Sequence, residues 1–364
     1  MSDSKTLLNL AEFESAAAAR LPRMVFDYYA GGAGDEVTLR AARAAWDAIQ
    51  IRYRVLREVS TRTLATTVLG DALAFPLMVA PMAFQRLAHA DGELATARAA
   101  AAAGVGMILS TLATTSIEDV RAAGPGPLWF QLYIYRDRGA SRALVERAER
   151  AGCTALVLTV DSPLLGRRER DVRNAFHVTD DFTVPNLTGD PRAALAAAGA
   201  HGGGSALASF VEAHWDSSIS WRDVEWLRSV TRLPVLVKGI VRGDDARLAL
   251  EHGAAGVIVS NHGGRQLDTA VPSARALPEV ADAMAGRGAL LVDGGIRRGT
   301  DIVKSLALGA HAVLLGRSVL WGLAVGGQPG VAQVLELLRA ETDLAFALAG
   351  CRSPHELTRD FVTT

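Results

Sequence analysis

The stretch Ser260-Asn261-His262-Gly263-Gly264-Arg265 sets an imidazole three residues ahead of a guanidinium, with two glycines between them. An imidazole can take up and release a proton near neutral pH, and a guanidinium offers a planar fork of donors matched to a carboxylate. Asp161 ends another apolar run, and beside His262 it would hold the imidazole in one tautomer and stabilise its cation, as a general base needs. Lys238 ends the run Val235-Leu236-Val237 and is followed by Gly239-Ile240. A lysine buried on both sides needs an anion. Three partners are open: a core aspartate, a ligand that becomes negative, or a substrate carbonyl captured as a Schiff base. Asp293-Gly294-Gly295-Ile296-Arg297 and Gly316-Arg317 put glycines next to arginines at the ends of two further runs. Taken singly each is an ordinary turn with glycine at positive φ. Together, backbone N–H groups and arginine forks suit a phosphate-bearing ligand.

These residues need elements that bring them to one place. Eight apolar runs read as buried strands: Leu77–Ala83, Gly106–Ala113, Pro127–Tyr135, Ala155–Pro163, Pro234–Val241, Gly256–Gly263, Ala289–Ile296 and Ala312–Val319. Amphipathic stretches such as Gly92–Ala103, Ala140–Ala151, Asp244–His252 and Thr300–Leu308 alternate with them. All but one of the spacings suit a (β/α)8 TIM barrel, at about 30 residues per unit. An open doubly wound sheet would carry a glycine fingerprint after its first strand, and Phe84-Gln85-Arg86-Leu87-Ala88 has none. The expected fold is therefore α/β, a TIM barrel with its polar strand ends converging on one mouth: Ser110, Gln131, Tyr133, Thr159, Asp161, Lys238, Ser260, His262, Asp293 and Arg317.

Two segments fall outside the repeat. The long gap after the fourth strand, 176–215, has little apolar periodicity and reads as a mobile, lid-like insertion over the mouth. Residues 1–70 carry helical stretches at Leu10–Ala19, Pro22–Tyr29 and Asp35–Ala48, then an irregular segment, and read as a helical prefix. With no core of their own, they leave 1–364 as a single domain. The 364 residues are 49% hydrophobic with a net charge of −1, which excludes the basic face of a nucleic-acid-binding protein. No apolar run is long enough for a membrane span, and the first residues do not read as a signal peptide. The two cysteines, Cys153 and Cys351, read as free buried thiols of a cytoplasmic protein, with no metal cluster expected. Of 38 basic residues only Lys5, Lys238 and Lys304 are lysine, which composition bias explains, apart from the placing of Lys238.

Over nearly its whole length the chain resembles the FMN-dependent 2-hydroxy-acid oxidases and dehydrogenases. The densest match is Ser260-Asn261-His262-Gly263-Gly264-Arg265-Gln266-Leu267-Asp268, similar to the signature around that family's base. Asp27-Tyr28-Tyr29 with Gly31-Gly32-Ala33, Gln131-Leu132-Tyr133, Thr159-Val160-Asp161, Gly166-Arg167-Arg168 and Val237-Lys238-Gly239 match in order. The resemblance implies oxidation of an (S)-2-hydroxy acid to the 2-oxo acid, with electrons passing to O2, giving H2O2, or to a quinone-type acceptor. By the same resemblance His262 takes the proton with Asp161 behind it, Tyr133 bonds the substrate oxygen, and Arg168, Arg265 and Tyr28 bind the substrate carboxylate. Lys238 sits by the flavin ring, which Pro81, Met82, Ala83, Ser110, Gln131, Thr159 and Ser260 hold. Asp293 lies on the ribityl chain, and Gly294, Gly295, Arg297, Gly316 and Arg317 cradle the phosphate. The family also implies a homo-oligomer, a tetramer.

Two departures bear on the chemistry. Leu112 stands where the glycolate-oxidising members carry a tryptophan, which implies a medium or bulky substrate side chain, as in lactate or mandelate. Met82 replaces a threonine at the flavin's edge, which leaves the acceptor open. Two other activities are compatible with the same fold: oxidation of a peptide or carrier-linked substrate, and flavin binding as a sensor without turnover.

Overall fold

The computed structural model describes residues 6–178, 183–187 and 206–363. Its centre is a closed barrel of eight parallel strands in chain order: β1 (Leu77–Val79), β2 (Gly106–Leu109), β3 (Leu128–Leu132), β4 (Ala155–Thr159), β5 (Val235–Ile240), β6 (Gly256–Val259), β7 (Ala289–Val292) and β8 (Ala312–Leu315). Pairing of Leu77 with Val313 closes the ring between β1 and β8. Each strand starts at, or one residue after, the predicted position, and each ends sooner. The polar tails leave the ladder and form the mouth.

Strand side chains alternate between two cores, as the two-residue period requires. Met78, Ile108, Trp129, Val157, Leu236, Ile258, Leu291 and Leu314 pack together inside the barrel. Their neighbours Leu77, Val79, Met107, Leu109, Leu156 and Leu158 face outward into the helical layer. The irregular part of the prefix contains a hairpin, Thr66–Val68 with Asp71–Leu73, turning on Leu69 and Gly70 at φ 50° and 88°. Val68, Leu69 and Leu73 join the interior cluster, and Asp71 accepts from Trp129 Nε1 at 2.7 Å and Thr154 Oγ1 at 2.7 Å. The hairpin thus plugs the N-terminal end of the barrel.

The prefix helices are α1 (Leu10–Arg20), α2 (Arg23–Ala30) and α3 (Val37–Ala48). Asn9 caps α1 by accepting from the Glu12 N–H. Gln50–Ile51 pairs antiparallel with Val362–Thr363, which fastens the prefix to the chain's end. The reading of 176–215 as one irregular insertion needs correcting at its C-terminal end. There α4 (Ala206–His214) is a regular helix whose Leu207, Phe210 and Val211 are buried at helical spacing. Residues 179–182 and 188–205 of that segment lie outside the described residues.

Candidate active site

β4 delivers Asp161 and Ser162 to the mouth, and the turn after β6 delivers His262. His262 Nδ1 lies 2.9 Å from Asp161 Oδ1, so Nδ1 carries the hydrogen and Nε2 is the free base. The imidazole is held in an unusual backbone: His262, Gly263 and Gly264 are all left-handed, at φ 59°, 64° and 75°. A non-glycine residue there is strained, a cost the surrounding contacts must meet. A Cβ on Gly263 would lie 2.9 Å from Arg317 Nη1, and one on Gly264 would lie 2.7 Å from Leu39 N. Burial pushes the His262 pKa below the ordinary value, against the pull of Asp161, and keeps the imidazole neutral. Burial acts the other way on Asp161, but the attraction of His262 and Lys238 and two side-chain hydrogen bonds outweigh it and keep the carboxyl ionised.

The C-terminal end of α2 organises two arginines. Its face of Val25, Tyr28 and Tyr29 is buried, and its last carbonyls are left without helical partners. Arg265 Nη1 donates to Tyr28 O at 2.6 Å and Gly31 O at 3.1 Å, and Arg317 donates to Tyr29 O at 3.0 Å and Gly263 O at 2.8 Å. The Arg265 and Arg168 guanidiniums stand 5.0 and 6.0 Å from the Tyr28 ring. Arg168 is buried, with Asp171 at 3.8 Å, and burial together with the Arg265 charge draws its pKa down to about 10. Arg317 is drawn down to about 9 by burial and by Arg265 and Arg297. It has no carboxylate within ion-pair distance among the described residues. This cluster of cations is short of anions.

The turns after β7 and β8 meet at the same place. Gly294 and Gly295 sit at φ 90° and 79°, and a Cβ on Gly295 would come within 2.6 Å of Ala42 O. The turn is braced from the prefix: Trp46 Nε1 donates to Gly294 O at 2.7 Å and Arg43 Nη1 to Gly295 O at 2.9 Å. Arg297 donates to Ser318 Oγ at 3.2 Å, and Gly316 caps the last helical stretch, α5 (Arg317–Ala349), which is broken by a kink at Gly326-Gly327.

Lys238 finds the core aspartate that its burial called for: Nζ lies 3.0 Å from Asp293 Oδ2 and donates to Ser260 Oγ at 2.9 Å. Gly239, at φ 116°, lets β5 bulge beside Asp161, where a Cβ would lie 2.7 Å from the Asp161 Cβ. At the end of β3, Gln131 Oε1 accepts from Ser110 Oγ at 3.3 Å and Thr111 N at 3.2 Å. Among the described residues, Gln131 Nε2 and Asp293 Oδ1 are buried without a hydrogen-bond partner. Burial raises the Tyr133 pKa, so its phenol stays protonated.

All these groups surround one cavity of about 1120 Å³, measured out to its open mouth. Tyr28, Pro81, Met82, Ala83, Ser110, Leu112, Gln131, Tyr133, Thr159, Arg168, Lys238, His262, Arg265, Asp293, Gly294, Gly295, Arg297, Gly316 and Arg317 line it. Asp161 and Ser260 stand one layer back, against His262 and Lys238. The sequence reading did not single out Tyr29, Ser162, Leu165, Leu207, Trp215 and Gln266, which also line the cavity. Trp215 stacks on Tyr133 with ring centres 3.7 Å apart, and Phe176 on Tyr28 at 4.0 Å. Gln266 clasps the loop after β4: its amide donates to Asp161 O and Leu164 O at 3.2 and 3.0 Å and accepts from Gly166 N at 3.0 Å. The glycine at 166 is the trace this contact leaves in the sequence, since a Cβ there would lie 2.6 Å from Gln266 Cα.

The residues fit FMN. Glycine turns and partly buried arginines short of anions suit its phosphate, and the unpartnered Gln131 amide and Asp293 oxygen suit polar atoms of a ligand. Comparison with known proteins agrees. The chain is 52% identical to L-lactate oxidase of Nostoc sp. over 98% of both chains. It is 49% identical to glycolate oxidase of Spinacia oleracea, over 98% of this chain and 95% of that one. A crystal structure of mandelate oxidase with (S)-4-hydroxymandelic acid superposes with a TM-score of 0.91 at 45% identity, covering 98% of each chain. Residues 17–364 match the model of the FMN-dependent dehydrogenases. A match of that extent around a cavity so furnished makes the chain a member of the FMN-dependent dehydrogenase family.

Proposed function

We propose that the protein oxidises an (S)-2-hydroxy acid to the 2-oxo acid, with the electrons passing through FMN to O2 to give H2O2. The observation that carries this reading is His262, backed by Asp161 at 2.9 Å, in one cavity with the guanidiniums of Arg168 and Arg265. FMN, when bound, accepts the electron pair lost from the substrate's α-carbon. The chain's own residues do the rest. Arg168 and Arg265 neutralise the substrate carboxylate, with Tyr28 between them, and the Tyr133 phenol donates to the substrate oxygen. His262 Nε2 takes the proton, and Asp161 stabilises the resulting imidazolium. Lys238 supplies a buried cation beside the ring site, where Pro81, Met82, Ala83, Ser110, Gln131, Thr159 and Ser260 hold the ring. Asp293 meets the ribityl chain, and Gly294, Gly295, Arg297, Gly316 and Arg317 take the phosphate.

Leu112, Leu165, Leu207 and Trp215 give the cavity an apolar wall, which supports a medium or bulky substrate side chain. Leu112→Trp should refill that space and lower kcat/KM for mandelate by about 10-fold or more relative to glycolate. An unchanged ratio would contradict the assignment. Oxygen uptake and peroxide release against a panel of 2-hydroxy acids test substrate and acceptor together. A sensor without turnover is not favoured, since holding FMN needs no paired base, and the similarity to lactate, glycolate and mandelate oxidases does not favour a carrier-linked substrate.

We read 1–364 as one catalytic unit, because residues 1–70 supply Tyr28 and brace the Gly294 turn. The free buried thiols of Cys153 and Cys351 support a cytoplasmic setting. Tyr53, Val55 and Leu56 are exposed beside Leu344 and Leu348, with Arg54 N bonded to Ala349 O at 3.0 Å. Such an apolar patch supports association with further copies, and the family resemblance puts the number at four, which sedimentation would confirm at four chain masses and contradict at one.

A further inference from the structure

Asp161 is backed unevenly. Both the imidazole Nδ1 of His262 and the hydroxyl of Ser162 lie 2.9 Å from the same carboxylate oxygen, Oδ1. The other oxygen, Oδ2, is buried with no hydrogen-bond partner among the described residues. Ser162 Oγ is also 3.4 Å from His262 Nδ1, so serine, aspartate and histidine form a closed triangle, with Ser162 and His262 on the cavity wall and Asp161 behind them. A hydroxyl that donates to a carboxylate oxygen stabilises the anion and makes that oxygen a weaker acceptor for its second donor. The serine bond also fixes which oxygen faces the ring.

We propose that Ser162 is a positioning residue for the base: by sharing Asp161 Oδ1 with His262, its hydroxyl limits how far the aspartate stabilises the imidazolium and so sets the pH below which the base is lost. The other charges around the pair are Lys238 from β5 and Arg168 from the loop after β4, both of which already disfavour the imidazolium. Arg265 lies on the histidine's own turn. The Tyr133 phenol, from the end of β3, faces Asp161 and stays neutral. Asp161 is thus the group that favours a protonated His262, and Ser162 draws on its strength.

The proposal rests on His262 being the base, and the test separates the two. The pH dependence of kcat/KM is followed for the FMN-loaded wild type, S162A and S162T. Removing the hydroxyl should raise the pKa of the acid limb by roughly half a unit, while S162T, which keeps a hydroxyl, stays on the wild-type limb. S162C fills the same space with a weak donor and should shift in the same direction as S162A, so failure of one to fold leaves the other to decide. A readout without turnover uses oxalate, whose binding to the loaded protein should tighten as His262 becomes protonated, with the midpoint moved up equally in S162A. If wild type, S162A and S162T share one acid limb and one oxalate midpoint, Ser162 does not act on the base. If the wild type has no acid limb, or H262N keeps full turnover, the base assignment itself fails.

Discussion

His262 has to be neutral before it acts and cationic afterwards, and its surroundings serve both states. Burial lowers its pKa, which provides the neutral base, and Asp161 at 2.9 Å then stabilises the cation. Activity should therefore fall at low pH: kcat/KM drops as the pH passes down through the His262 pKa, which lies below the ordinary value of about 6.5. His262→Asn should lower kcat by about 10²–10⁴-fold, while the flavin absorbance of the purified protein persists. At this scale the sequence was informative wherever a polar residue ended an apolar run. Ser162 was hidden because it follows Asp161 directly, and period-two alternation alone turns the two side chains apart. The loop after β4 brings both back to one imidazole.

Elements from opposite ends of the chain build the phosphate end of the cavity. The Gly294-Gly295 turn is held by Trp46 and Arg43 of α3, with no room for a Cβ at Gly295. Gly295→Ala should therefore destabilise the fold by more than about 1 kcal/mol and weaken FMN binding, read as a lower melting temperature and an earlier fluorescence release of flavin. The tyrosines of the substrate end are supported differently, each stacked on an aromatic from 176–215. Trp215→Ala should lower kcat/KM by roughly 3–10-fold, the worth of one aromatic pair, and Trp215→Phe should recover most of it. The strands were legible because eight buried runs recur at near-regular spacing. The plug hairpin was not, since its three-residue strands are too short for a period to show. Helix α4 was masked by the alanine-rich text before it, although Leu207, Phe210 and Val211 carry the helical pattern.

For the whole molecule, a net charge of −1 conceals a strongly uneven distribution. Arg168, Arg265, Arg297, Arg317 and Lys238 crowd one cavity wall, and among the described residues only Asp171, Asp293 and Glu14 lie within ion-pair distance of them. A fold that concentrates cations in this way is stabilised by the anions it binds, so FMN and a carboxylate should each raise the melting temperature. Fold class and the polar strand ends could be read from the residues, whereas Tyr28, Leu112 and Arg168 came only with the family resemblance. The bracing of the site by the prefix could not, because contacts such as Trp46 with Gly294 link positions far apart in sequence without a local pattern. Oxidation of 2-hydroxy acids in this cavity with FMN is tested by anaerobic mixing of the FMN-loaded protein with (S)-lactate or (S)-mandelate, followed by visible absorbance. The flavin should bleach with at least one of them and recover its colour when O2 is admitted; a spectrum that stays oxidised with both and with a wider panel of 2-hydroxy acids would rule that chemistry out.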